Sequence, residues 1–175
     1  NSLLSDKAIE FGKKTLELAG RLEDSSSMAD AHIILAAAFK NFNDFKLSFE
    51  HINKSIKISE KLNDKERLAN AKMHLATIYL IWGDYDKSIE VYWKSISLSE
   101  QIGYNSGKAK CLTGLSSVYS ALGDYEKARK YAYKSLKKWE ETGDKIHIGH
   151  TLRMLAMLDL YQGKHLEGRE KLEKA

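Results

Sequence analysis

The sequence predicts an all-α array of stacked antiparallel helix pairs, and three observations carry that prediction. Side chains of one kind recur at intervals of 40 residues along the 175-residue chain. Within each interval the apolar positions follow helical spacing. Period-two alternation with β-branched enrichment, the mark of strands, is found nowhere in the chain.

The repeat is seen column by column. Gly83, Gly123 and Gly163 stand 40 residues apart, and the same phase holds Asn43, a residue type that tolerates positive φ. Asp44, Asp84 and Asp124 come next, followed by Phe45, Tyr85 and Tyr125. Lys14, Lys54, Lys94, Lys134 and Lys174 share a phase, Ser55, Ser95 and Ser135 share the next, and Leu35, Leu75, Leu115 and Leu155 mark a third. Chance does not hold so many columns in step over four periods.

The elements follow in order from this phase. Residues 5–22 form a helix in register with second helices, since Lys14-Thr15 matches Lys54-Ser55, so its partner helix is missing from the pattern. Full pairs are expected at 28–62, 68–102 and 108–142. In the middle pair Leu68, Ala71, Leu75, Ile78, Tyr79 and Trp82 share one face of the first helix. Gly83 then supplies a left-handed stop, and Asp84 caps the second helix, whose buried face carries Tyr85, Ser88, Ile89, Tyr92, Ser95 and Ile96. The last pair, 147–175, is degenerate or truncated: Lys164 replaces the capping aspartate, and Gly168 replaces the small residue seen as Ser88 and Ala128. A piece of a larger protein is the expected reason, with natural end caps as the alternative.

Small residues mark the helix crossings. Ala36, Ala76, Ser116 and Ala156 hold one phase of the first helices, and Ala8, Ser48, Ser88 and Ala128 hold one phase of the second. Short side chains there let two helix backbones approach closely.

Composition excludes several classes. Proline is absent and glycine numbers 11, so collagenous or proline-rich segments are ruled out. A hydrophobic fraction of 43% and a charged fraction of 30% describe a folded chain. One cysteine, Cys111, excludes an internal disulfide framework, weakly favours a cytoplasmic setting, and falls in a small interior phase with Ala31, Ala71 and Thr151. The net charge of +4 is far below a nucleic-acid footprint, and the longest nearly apolar run, Ala29 to Phe39, is too short to span a bilayer.

The run Leu75-Ala76, Tyr79, Gly83-Asp84-Tyr85, Ser88, Tyr92 and Ser95, repeated as Leu115-Ser116, Tyr119, Gly123-Asp124-Tyr125, Ala128, Ala132 and Ser135, resembles the tetratricopeptide repeat (TPR) family. The period of 40 and the lack of proline match its longer variety. That resemblance implies a right-handed α-solenoid whose concave side is lined by first helices. It places Ile33, Ile34 and Ala37 there, with Met73, His74 and Thr77, then Lys110, Thr113 and Ser117, and finally His150, Arg153, Met154 and Met157. The asparagine that grips a ligand backbone in peptide-binding relatives is replaced by Ala37, Thr77, Ser117 and Met157.

The expected function is therefore a non-catalytic protein-interaction module. It holds a partner peptide or helix, or a segment with an anionic end, in the groove, with Lys110, His150 and Arg153 as a cationic patch and the methionines as apolar lining. The alternative is a regulatory or sensor part of a multidomain signalling or transcription-regulating protein. A further, lesser alternative is an enzyme part, as in bacterial TPR proteins that dephosphorylate response regulators through an extra N-terminal bundle. Self-association through the exposed end helices is open to such a chain.

No catalytic residue, cofactor or metal ligand set is expected. His147 and His150 are spaced to share a metal but lack a third ligand, and His32, His51, His74 and His165 are expected to be scattered, partly exposed helical residues. No phosphate-binding glycine loop is present. The lysine ridge lies on second helices interleaved with Glu60, Glu100 and Glu140, and Trp93, Tyr133 and Trp139 are assigned to interior packing, so no nucleic-acid partner is expected.

Overall fold

The computed structural model describes residues 2–163 and Glu173, with side chains placed from Asp6 onward. Among the described residues there are eight α-helices and no strand: α1 (Ser2–Arg21), α2 (Ser25–Asn41), α3 (Phe45–Lys61), α4 (Lys65–Trp82), α5 (Tyr85–Gln101), α6 (Asn105–Ala121), α7 (Tyr125–Thr142) and α8 (Lys145–Tyr161). The fold class is all-α, of antiparallel helix pairs.

One turn design recurs between all of them. Positive φ falls at Glu23, Asn43, Asn63 and at Gly83, Gly103, Gly123, Gly143 and Gly163, so the backbone turns left-handed every 20 residues. The next residue donates its N–H to a carbonyl five positions back, as in Asp84 to Tyr79 at 3.0 Å, which closes the finished helix. The same residue caps the new helix. Asp24, Asp44, Asp64, Asp124 and Asp144 each accept from the backbone N–H three residues on at 3.0–3.1 Å, and Asp84 does so at 3.3 Å. Tyr104 stands alone among these caps in having no side-chain hydrogen bond. Its ring instead covers Gly107, where a Cβ would meet Tyr104 Cδ1 at 2.2 Å.

Asp24, Asp64 and Asp144 start first helices at Ser25, Lys65 and Lys145, and Tyr104 precedes the one at Asn105, each two to three residues ahead of where the apolar spacing alone begins them. The second helix expected for the last pair falls on residues, Lys164, His165, Gly168 and Lys174 among them, that lie outside the described ones.

The chain forms two compact units, Asn1–Leu98 and Ser99–Ala175. In the first, Ala36, Ile52, Ile56, Ala71 and Ile78 form a buried cluster, with Ile33, Phe49, Leu68 and Leu75 packed on it. The small residues meet at the crossings: Ser48 Oγ donates to the Ala36 carbonyl and Ser88 Oγ to that of Ala76, both at 2.8 Å. In the second unit Ala128, Ala132, Leu136, Leu155 and Leu158 form the cluster. There the crossing has exchanged its partners, with Ser116 Oγ donating to the Ala128 carbonyl at 2.7 Å. Close backbone approach makes each bond feasible, because a serine hydroxyl spans only a short gap.

Two interior assignments are corrected. Trp139 is 1% exposed, but Trp93 and Tyr133 are 42% and 44% exposed, since their column lies on the outer side of the second helices.

Candidate functional site

The candidate site is the exposed side of the first helices, and the two units fill it differently. In the first unit much of it is already occupied by packing. Ile33 is half-buried and packs on the buried cluster. Thr77 Oγ1 lies 3.0 Å from the Tyr92 hydroxyl and donates to the Met73 carbonyl at 3.1 Å, so the threonine ties α4 to α5. Ala37, Met73 and His74 are half-buried.

In the second unit the polar residues divide. Thr113 Oγ1 is 2.7 Å from Ser135 Oγ and faces α7, and Ser117 Oγ donates to the Thr113 carbonyl at 3.2 Å. Lys110 is half-buried on the second turn of α6, while His150 is exposed on the second turn of α8 and Arg153 at its middle, with Arg153 Nη2 donating to His150 Nδ1 at 2.9 Å. Among the described residues none of these three groups has a carboxylate partner. Met157, 43% exposed, follows one turn after Arg153.

Beyond Met157 the same face opens into a cavity of about 480 Å³ lined by Ser117, Ser120, Ala121, Tyr125, Met154 and Tyr161. Tyr125 and Tyr161 stack along its rim with ring centroids 5.8 Å apart. Of these residues only Ser117 and Met154 are expected from the sequence. The signal for the others is the residue column. Where α2, α4 and α8 carry Ile34, His74 and Met154, α6 carries Gly114; where they carry Asn41, Ile81 and Tyr161, it carries Ala121. Side chains that fill this space elsewhere are absent from α6.

Three polar clusters were not expected from the sequence, and one of them holds Asp30, which shares its column with Lys110 and His150. His32, 6% exposed, is not a scattered surface residue: its Nδ1 lies 2.9 Å from His51 Nδ1, and Phe39 stacks on His51. Burial, then the neighbouring His51, lowers the His32 pKa to about 4. Arg67 forks onto Asp30 at 3.0 and 3.1 Å and also bonds Asp64, and the two carboxylates raise its pKa. Arg129 pairs with the fully buried Asp159 and donates to Gln162 Oε1 at 2.9 Å.

His147 is committed elsewhere than to a shared ligand with His150. Its Nδ1 is 2.8 Å from Asp144 Oδ2 and its ring stacks on Trp139 at 4.2 Å. Among the described residues no group of three His, Cys, Asp or Glu is placed to hold a metal ion, and no helix is long and apolar enough to cross a membrane. Cys111 is buried.

Comparison with known proteins matches this architecture. A family model described as tetratricopeptide repeat matches residues 67–141 and 109–175. No curated protein matches the chain by sequence. Among solved structures, BtubC from P. vanneervenii is similar at 19% identity and a TM-score of 0.79, over 96% of this chain and 72% of that one. A Rap conjugation gene regulator in complex with the Phr* peptide is similar at 15% identity and 0.83, over 98% of this chain and 48% of its own. A signal transduction ATPase with a tetratricopeptide repeat sensor from Pyrococcus horikoshii is similar at 21% and 0.75, over 99% of this chain and 28% of its own. At these identities the likeness shows the fold, and the chain spans about half of the Rap regulator and under a third of the ATPase.

Proposed function

Because the chain belongs to the tetratricopeptide repeat family, we propose that it is a non-catalytic protein-interaction module that holds a partner segment with an anionic end against the first helices of its second unit. One observation carries the reading: Lys110 and His150 hold one column in the first halves of α6 and α8, Arg153 follows His150 by about a turn and donates to it, and neither Lys110 nor Arg153 is neutralised by a carboxylate among the described residues. A surface arranged only for solubility usually intersperses charges of both signs. Each charge-assisted bond to a partner carboxylate is worth about 1.5–3 kcal/mol.

The Rap regulator, whose structure contains a peptide, supports the choice of a peptide over a folded partner. A second reading, supported by the likeness to a repeat sensor within a larger ATPase, makes the chain the sensing part of a multidomain signalling protein, in which the docked segment is the signal.

The test is charge reversal. Partners captured by the wild-type chain are titrated against Lys110→Glu/Arg153→Glu by calorimetry. Affinity is expected to fall at least tenfold and to fall further with salt; unchanged affinity eliminates the cationic end as the docking point.

A further inference from the structure

We propose that the outer face of α7 is a second docking surface, and that it takes a short acidic helix of a partner protein. That face lies on a second helix, so it neither needs nor excludes the docking of a segment against α6 and α8. The departure starts with one column. Glu10, Glu50 and Glu90 stand one turn ahead of Lys14, Lys54 and Lys94. Glu10 binds its lysine at 2.6 Å, and Glu90 binds Lys94. In α7 that column holds Lys130, and Lys134, one turn on, lies over the Tyr131 ring at 5.5 Å instead. Like charges a turn apart weaken a helix, and no ion pair or hydrogen bond of Lys130 offsets this among the described residues. Folds keep such local costs at functional sites.

The result is an unbroken basic stretch. From Lys127 to Trp139 there are six lysines and arginines and no acidic residue. Arg129 turns to Asp159, Lys127 to Asp124 and Lys138 to Glu141. Lys130, Lys134 and Lys137 are exposed and form no ion pair among the described residues, and Tyr133 beside them is 44% exposed. The charge excess of the whole chain lies in this half: the first unit holds 14 Lys and Arg against 14 Asp and Glu, the second 14 against 10.

The ends of the patch choose its occupant. Lys130 to Lys137 spans two turns, about 10 Å at 1.5 Å per residue. Exposed Glu126 stands one turn before it, and exposed Glu140 and Glu141 follow within about one turn. A bilayer or a nucleic-acid strand runs past both ends and meets those carboxylates. A helix with three carboxylates within two turns shares the pitch of the lysines and stops short of them. Lysines are also point charges without the fork that grips phosphate in pairs, which suits separate carboxylates. The Tyr133 ring offers apolar surface to a neighbouring side chain of the partner.

The probe is a capped, alanine-rich helical peptide with glutamates at positions i, i+4 and i+7, and glutamines there in its control. Binding to the protein is followed by fluorescence anisotropy at low and high salt. The glutamine peptide is expected to bind at least tenfold more weakly, with added salt erasing the difference. Lys130→Glu/Lys137→Ser gives α7 the residues that α5 carries at Glu90 and Ser97 and returns a carboxylate to Lys134. It is expected to weaken the glutamate peptide at least tenfold while the thermal midpoint holds or rises. Lys130→Gln/Lys137→Gln repeats the measurement if that variant melts early. Lys110→Glu/Arg153→Glu, on the first-helix face, is expected to leave this affinity unchanged.

The proposal is overturned if the outer-face variants bind like wild type, or if the glutamine peptide binds as well as the glutamate one. Tighter binding of polyuridine, or of phosphatidylcholine vesicles containing one-fifth phosphatidylserine, also overturns it and assigns the face to an extended polyanion. If only Lys110→Glu/Arg153→Glu loses the peptide, the outer face falls and docking against α6 and α8 stands. A loss with both kinds of variant reports charge at large rather than a site, and sinks the proposal too.

Discussion

The junction between α3 and α4 and the junction between α7 and α8 occupy the same places in the repeat, yet one is aromatic and the other ionic. In the first, Phe49, Tyr79 and Trp82 form a triangle with ring centroids 5.2–6.2 Å apart, and Lys87 lies over Tyr79 at 5.6 Å. Eighty residues on, those three columns hold Arg129, Asp159 and Gln162, and Gln162 Nε2 donates onward to Glu126 at 2.8 Å. The periodic scaffold thus fixes where a junction is filled, not with what. Aromatic packing adds in small, forgiving increments, whereas a buried ion pair holds only while both partners are present.

Removing one partner probes that difference most strongly. Asp159→Ala leaves Arg129, a mostly buried guanidinium, without its carboxylate, and is expected to cost about 3–5 kcal/mol in urea unfolding. Arg129→Phe/Asp159→Tyr, which imports the first junction's pair, is expected to restore or exceed wild-type stability. A loss below about 1 kcal/mol for the single variant would equate the two junctions.

The units differ again between second-helix and first-helix partners, and here acid is the probe. His32 and His51 have Leu112 and Tyr131 as their column mates in the second unit. Lys54 and Glu50 on α3 and Lys13 on α1 also face the pair. The folded His32 pKa of about 4 lies below the ordinary value of 6.5, so between those pH values the unfolded chain binds a proton that the folded chain refuses. Stability contributed by the neutral pair is present above pH 6.5 and is lost as pH falls toward 4, by about 2–3 kcal/mol. His32→Leu should flatten the pH profile over that window in thermal melts. A slope that persists would move its origin away from this pair.

The smallest effect should be common to both units. Ala76 is fully buried where its carbonyl accepts from Ser88, and Ala76→Leu is expected to cost about 1–3 kcal/mol by overpacking, with a similar cost for Ser116→Leu. Unequal costs in denaturant melts would show that the crossings, too, have diverged.

What could be read from sequence follows the same division. The columns predicted the left-handed turn at Asn43 and the contacts of Ser48 with Ala36 and Ser88 with Ala76, because backbone geometry repeats with the chain. The turns at Glu23 and Asn63 were missed, since neither position carries a glycine and the capping aspartates Asp24 and Asp64 carry the signal instead. Thr77 and Thr113 were placed on an open face, but their hydroxyls meet Tyr92 and Ser135 on the second helices, partners that spacing along one helix does not reveal. The cavity beside Tyr161 and the pairs His32–His51 and Arg129–Asp159 arise where one residue departs from its column. Periodicity, which averages over columns, hides such departures.

The left-handed turn with its capping residue falls at every twentieth position, while the small-residue crossings return only at every fortieth. Inserting or excising a single helix with its turn would preserve each bend but send apolar side chains to the wrong neighbours. Adding or removing a whole pair leaves both rhythms intact. Gene duplication can therefore lengthen or shorten such a chain without redesign only in even numbers of helices, and a built variant with one surplus pair should melt no lower than its parent.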